Sequence, residues 1–162
     1  TYGDYLYRVA FIYPKDERVS EEIVQDVFLK FYQTKDRYDG RASLKTYLTK
    51  MTINRSYDYL RSWKHRTFSL LEQFTGTTKG ADQHVLQNEE RGEITTAVLK
   101  LPVKYREVLL LYYYEDLQVN DIAEFLQVPV STVKTRLQRG RERLKQALPK
   151  QQWEVLANDD TR

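Results

Sequence analysis

Cysteine is missing from the 162 residues, which excludes disulfides, thiolate zinc sites, iron–sulfur clusters and thiol catalysis. The two histidines, His65 and His84, lie too far apart for ligand-like spacing, so neither a metal site nor a cofactor is expected. No apolar run is long enough to cross a bilayer, and no secretory leader is visible. The chain is therefore read as soluble and cytoplasmic, without membrane insertion. It opens on Thr1 rather than Met, so its first residues are taken as a cut boundary. No phosphate-cradling loop and no paired carboxylates stand out, so no catalytic residues are expected and an enzyme is disfavoured. The formal net charge is only +3, too small by itself to suggest a nucleic-acid partner, so the distribution of charge has to decide.

What is present reads as all-α. Hydrophobic residues make up 41%, enough for a packed core, and tyrosine (13) outnumbers phenylalanine (6). Apolar residues recur at intervals of three and four, with no period-two runs. Leu6, Val9, Ala10 and Tyr13 mark a first helix closed by Pro14-Lys15-Asp16. Ser20 is expected to cap a second helix, with Glu21 and Glu22 in its first turn and Val24, Val27, Phe28 and Phe31 as its apolar face. Residues 35–41 read as a polar loop. Ser43 then caps a long helix with Leu44, Leu48 and Met51 on one side. From about Thr67 to Asn88 the composition turns small and polar, as in Thr75-Gly76-Thr77-Thr78-Lys79-Gly80, and reads as a mobile linker between two helical modules. Beyond it, Ile94, Val98 and Leu101 are periodic up to Pro102, which suits the first turn of the next helix. The polar tail from Pro149 is expected to fray.

The segment from Asp121 to Leu137 has the pattern of a helix-turn-helix. Ile122, Phe125 and Leu126 give its first helix one apolar face, and Ala123 is small where two helices must approach. The turn falls at Gln127 to Val130, Ser131 is the expected cap, and Val133 and Leu137 pack the second helix back. Helix-turn-helix units often place Gly at the start of the turn; Gln127 is strained there if its φ must be positive. Lys134, Thr135, Gln138 and Arg139 share one polar face and are the candidates for base-edge contact. Thr132, Arg136, Arg141 and Arg143 are better placed for phosphates. Six basic residues of this helix stand against one acid, Glu142. The same residues also fit a basic solvated helix in an ordinary bundle.

Taken in order, these segments resemble the extracytoplasmic-function (ECF) group of bacterial sigma factors. Residues 21–30 resemble the group's polymerase-binding helix, residues 38–48 its conserved loop and helix start, and residues 53–61 its pattern of Asn, Asp and Arg. Residues 101–109 and the helix-turn-helix after them resemble its downstream domain. Tyr47 stands where the group usually has Trp, Thr52 where a small apolar residue is usual, and the first helix reads as clipped.

The resemblance implies two small helical domains: sigma region 2 over residues 1–66 and region 4 over 89–150, with a linker at 67–88 and a tail at 151–162. It implies that Glu22, Gln25, Asp26, Phe28 and Leu29 meet core RNA polymerase, with Val24, Val27 and Phe31 held in the core. Asp39, Gly40, Arg41, Ser43, Asn54, Tyr57, Asp58 and Arg61 would meet the promoter's minus-ten element after melting. Asn54, Asp58 and Arg61 do share one helix face, though by themselves they also fit a solvated salt-bridged surface. Ser131, Thr132, Lys134, Thr135, Arg136, Gln138, Arg139, Arg141 and Arg143 would meet the minus-thirty-five element. The implied partners are core polymerase, promoter DNA and an anti-sigma factor, often membrane-anchored. Two other classes stay open at this point: a helix-turn-helix regulator that binds duplex DNA without polymerase, and a helical interaction protein that binds no DNA.

Overall fold

The computed structural model describes residues 2–71 and 89–150. Among them there are helices and no strand, so the all-α expectation holds. The chain divides into two compact units, and the expected linker stretch 75–80 and the tail from 151 lie outside the described residues.

The first unit packs α1 (Tyr2–Phe11), α2 (Glu17–Thr34) and α3 (Leu44–Leu71) against one another, with a short 3-10 turn at Lys35–Arg37. α3 thus carries helical backbone five residues past position 66. Leu6, Val9, Ala10, Tyr13, Ile23, Val27, Leu48 and Ile53 form the core. Lys15, at φ 54°, ends the first connection, and Asp16 caps α2 by accepting the Val19 amide at 2.9 Å. The cap is therefore Asp16 and not Ser20. Ser20 is fully buried inside α2, where its hydroxyl donates to the Asp16 carbonyl at 2.6 Å. That internal bond lets a polar residue join Ile23 and Val27 in the buried stripe. Phe28, expected on that stripe, is instead turned outward, and Val24 and Phe31 are half-buried.

On α3 the buried stripe is Leu48, Thr49, Thr52, Ile53 and Ser56. Each hydroxyl donates to the carbonyl four residues back: Thr49 to Lys45 at 2.7 Å, Thr52 to Leu48 at 2.8 Å, Ser56 to Thr52 at 2.8 Å. A hydroxyl satisfied by its own helix is tolerated in an apolar seam. This accounts for Thr52 at a position where a small apolar residue is usual.

The second unit is built on α5 (Val103–Tyr113) and α7 (Val130–Ala147), with α4 (Glu89–Leu99) and α6 (Val119–Leu126) packed on them. Val108, Leu109, Leu111, Ile122, Phe125, Val133, Leu137 and Leu144 form its core. Pro102 ends the α4–α5 turn and leads into α5. Arg106, buried on α5, donates to the carbonyls of Leu99 (3.3 Å) and Leu101 (3.0 Å), at and just beyond the end of α4. Gly140 marks the close approach of α7 to α5: a Cβ there would lie 2.9 Å from Leu109 Cδ1 and 3.2 Å from its Cγ.

Candidate nucleic-acid interface

In the second unit, α6 ends on Gln127 in the left-handed region, φ 55° and ψ 45°. The Val128 amide donates to the Ala123 carbonyl at 3.1 Å and the Gln127 amide to Glu124 at 3.3 Å, the paired bonds of a Schellman turn. The turn chemistry wants Gly, and Gln127 carries the strain that its position implies. α7 starts one residue earlier than expected, because Pro129 with its fixed φ leads directly into Val130. Ser131 is therefore an exposed residue of the first turn and makes no cap; its carbonyl accepts from the Thr135 hydroxyl at 2.9 Å.

α7 buries Val133, Leu137, Gly140 and Leu144 against α5 and α6 and turns Ser131, Lys134, Thr135, Gln138, Arg139 and Arg143 to solvent. Thr132, Arg136 and Arg141 are half-buried along the flanks. The four base-edge candidates are thus brought together on the exposed face. The phosphate candidates divide. Arg136 is paired 3.7 Å from Glu107, which is fully buried, and Arg141 donates to the Tyr113 hydroxyl at 3.2 Å. Arg143 lies over the Tyr105 ring, 4.9 Å from its centroid.

The sequence reading assigned no role to Lys104, Tyr105 or Glu107. Lys104 Nζ stands 5.0 Å from the centroid of the Tyr105 ring, and Lys104, Tyr105 and Arg139 line one hollow together. Burial pushes that phenol up, but the charges of Lys104 and Arg143, with the donor side chains of Lys104 and Arg139 close by, outweigh it and hold the pKa below the ordinary 10.0. A signal for this cluster was present in the sequence: the charged run Lys104-Tyr105-Arg106-Glu107 interrupts an otherwise apolar stretch.

In the first unit, the loop before α3 is pinned at both ends. The Tyr38 hydroxyl donates to the Ala42 carbonyl, and the Tyr38 ring packs with Phe31 and Tyr47 at centroid distances of 6.3 and 5.0 Å. Tyr47 thus serves as the aromatic anchor where Trp is usual. Asp39 accepts the Arg41 amide at 3.0 Å and pairs with its side chain at 3.3 Å. Gly40 takes φ 75°, with open space where a Cβ would stand. Ser43 caps α3 as expected, accepting the Thr46 amide at 3.1 Å. Asn54, Asp58 and Arg61 are exposed on one face of α3, and Arg61 is paired with Asp58. Tyr57 is half-buried against Tyr13, centroids 5.2 Å apart.

On α2, Glu22, Gln25, Asp26, Phe28 and Leu29 are all exposed. Tyr32, not singled out from sequence, extends the apolar strip and is 71% exposed. Asp26 is held by Arg55 of α3, with Nη2 at 2.8 Å. Among the described residues no group of His, Asp and Glu is arranged to hold a metal, and no helix is long and apolar enough to cross a membrane.

Two helical units, the second a helix-turn-helix with a basic outward helix, define a protein of the helix-turn-helix class. Comparison with known proteins narrows this. Residues 1–66 match the Sigma-70 region 2 family and residues 91–144 the Sigma-70 region 4 family. ECF RNA polymerase sigma factor SigW of Bacillus subtilis is 31% identical over 160 residues, spanning 91% of this chain and 84% of that protein. ECF RNA polymerase sigma factor SigM of the same organism is 28% identical over 146 residues, spanning 89% and 88%. The solved sigma factor RpoE of Bartonella quintana, in complex with the anti-sigma factor NepR, has the same fold, with a TM-score of 0.73 at 20% identity over 90% of this chain and 91% of that one. The chain belongs to the ECF group of the sigma-70 family of RNA polymerase sigma factors.

Proposed function

We propose that this chain binds core RNA polymerase and directs it to promoters, without enzymatic activity of its own. The observation that carries the reading is the exposed strip of Phe28, Leu29 and Tyr32 on α2, in a chain of this family that also carries a helix-turn-helix. Large apolar side chains left in water beside Glu22, Gln25 and Asp26 form a surface suited to a protein partner. Residues 1–66 act as the polymerase-binding and minus-ten unit, 89–150 as the minus-thirty-five unit, 67–88 as the linker and 151–162 as the tail. Asp39 to Ser43 with Asn54, Tyr57, Asp58 and Arg61 engage the melted strand: unstacked bases need edge hydrogen bonds and a stacking face, and this surface offers polar side chains beside an aromatic cluster. α7 reads duplex through Lys134, Thr135, Gln138 and Arg139.

The solved relative is a sigma factor held by an anti-sigma factor. Control of that kind, by a membrane-anchored inhibitor acting on a cytoplasmic sigma factor, is proposed here. In vitro transcription with core polymerase, with and without this chain, tests the reading. Promoter-specific initiation that requires the chain supports it. Tight duplex binding by the chain alone, with no effect of polymerase, would instead make it a stand-alone regulator.

A further inference from the structure

A hollow of about 240 Å³ opens beside the first turns of α5 and α7, lined by Lys104, Tyr105, Thr132, Thr135, Arg136 and Arg139. One water occupies roughly 30 Å³ in the liquid, so the hollow admits a phosphate group with part of its hydration. Its floor is unusual. Tyr105 is 4% exposed, yet two cations, Lys104 and Arg143, lie over its ring at 5.0 and 4.9 Å from the centroid. Its phenol O–H can donate as well as accept. Lys and Arg have no acceptor atoms at all. The hollow therefore gathers an ammonium, guanidinium groups, the Thr132 hydroxyl and a phenol, while the Thr135 proton is already given to the Ser131 carbonyl. Such a set is complemented by a group with several acceptor oxygens and negative charge. The acids nearby cancel only part of it: Glu107 offsets Arg136, leaving Lys104 and Arg139 as the cations of the lining, and Glu142 borders the neighbouring hollow with Arg139 and Arg143.

We propose that this hollow binds one backbone phosphodiester of duplex DNA, with Lys104 and Tyr105 of α5 as ligands outside the helix-turn-helix. The inference rests on the reading of α7 as duplex reader and extends it. A helix about 10–12 Å across nearly fills a major groove about 12 Å wide, so residues on its flank meet the backbone that borders the groove. Lys104 and Tyr105 lie on that flank, next to the exposed face formed by Thr135 and Arg139. Tyr105 acts here as a buried post: its ring lies in the core, and the charged ends of Lys104 and Arg143 lie over it, held beside the hollow.

The test uses holoenzyme assembled from core polymerase and the full chain. Binding is measured from low to moderate salt on a promoter duplex, a scrambled duplex, and promoter duplexes that each carry one neutral methylphosphonate bordering the minus-thirty-five element. Lys104→Gln should weaken binding about 5–10-fold on promoter and scrambled duplex alike and lower the salt slope by about one. Tyr105→Phe, which keeps the packing and removes only the hydroxyl, should weaken both about threefold, the worth of a single hydrogen bond. Both variants should equal the parent on the one duplex whose methylphosphonate replaces the bound phosphate. Gln138→Ala, on the base-facing side, is the control. If Lys104→Gln and Tyr105→Phe bind like the parent at every salt while Gln138→Ala loses promoter preference, the hollow is not a phosphate site and the duplex-reading role stands. A loss that persists on every methylphosphonate duplex also overturns it. If all three variants bind like the parent, the role of α7 falls, and this inference with it.

Discussion

The Arg136 guanidinium lies 3.7 Å from the carboxylate of Glu107, tying α7 to α5 through a charge with no exposure to solvent. A buried carboxylate stripped of its cation is strongly unfavourable, about 3–5 kcal/mol when both partners are buried. Arg136 keeps 27% of its side chain exposed, which reduces that figure. Arg136→Met should lower stability by about 2–3 kcal/mol, and Arg136→Met with Glu107→Met should recover most of the loss. Urea unfolding followed by circular dichroism checks both. If Arg136→Met unfolds at the parent midpoint, the pair does not anchor the helix.

Gln127 makes a second, opposite prediction. A side chain in the left-handed region costs roughly 1–2 kcal/mol, and Gly returns roughly 0.4–1 kcal/mol of that through its freer unfolded chain. Gln127→Gly should therefore stabilise the chain by about 0.5–1 kcal/mol, while Gln127→Val should destabilise it, since a β-branched residue fits that region worst. Thermal melts of both variants decide; a loss of stability with Gly would mean that the Gln127 side chain contributes more than its backbone strain costs.

Asp26 meets both the proposed polymerase surface and Arg55, so a charge reversal there has two effects that must be separated. With 39% and 49% of the two side chains exposed, the bridge itself is worth only about 0–1 kcal/mol. Asp26→Lys should sharply reduce capture of core polymerase, while Arg55→Ala, which removes the bridge and keeps Asp26, should leave capture near the parent level. Equal capture of parent and Asp26→Lys would remove Asp26 from the interface; equal loss in both variants would make the bridge, not the carboxylate, the feature that matters.

Asn54 is exposed on α3, on the same face as the Asp58–Arg61 pair. If this face captures unpaired bases, Asn54→Ala should slow open-complex formation on duplex promoter far more than initial binding. A promoter carrying a pre-melted bubble should not rescue it fully, because the lost contact is to the melted strand. Permanganate reactivity of unpaired thymines reports opening, and mobility shift at low temperature reports initial binding. Equal effects at both stages would count against the role.

How much of this was legible in the sequence depends on the range of the interactions involved. The helices were, because a period of three and four apolar residues is a local signal. The strain at Gln127 was, because the turn's handedness follows from its place between two helices. Ser20 and Ser131 were misjudged as caps for one reason. Both are good capping residues, but Asp16 and Pro129 stand just upstream and start the helices first. Phe28 was misjudged because the buried stripe runs through Ser20, Ile23 and Val27 instead, and the polarity of Ser20 hides its burial until the bond to Asp16 is seen. The Tyr105 cluster was legible only in part: the charged run at 104–107 marks its α5 side, but its α7 residues lie more than thirty positions away, and only the packing of α7 on α5 brings the two together.

That packing gives Gly140 a meaning beyond its size. It is the point where α7 rides on Leu109, and the residues proposed to face the bases extend from it toward the helix start, the last of them one residue away and the first six. The contact works as a fulcrum. A methyl group there would have to displace Leu109 or lift the helix, and the shift would be carried along a rigid rod to the reading end. Hydrogen bonds to base edges weaken steeply outside a few tenths of an ångström. On the proposed reading, fidelity is a mechanical tolerance, held at a bearing inside the protein by a residue buried against α5.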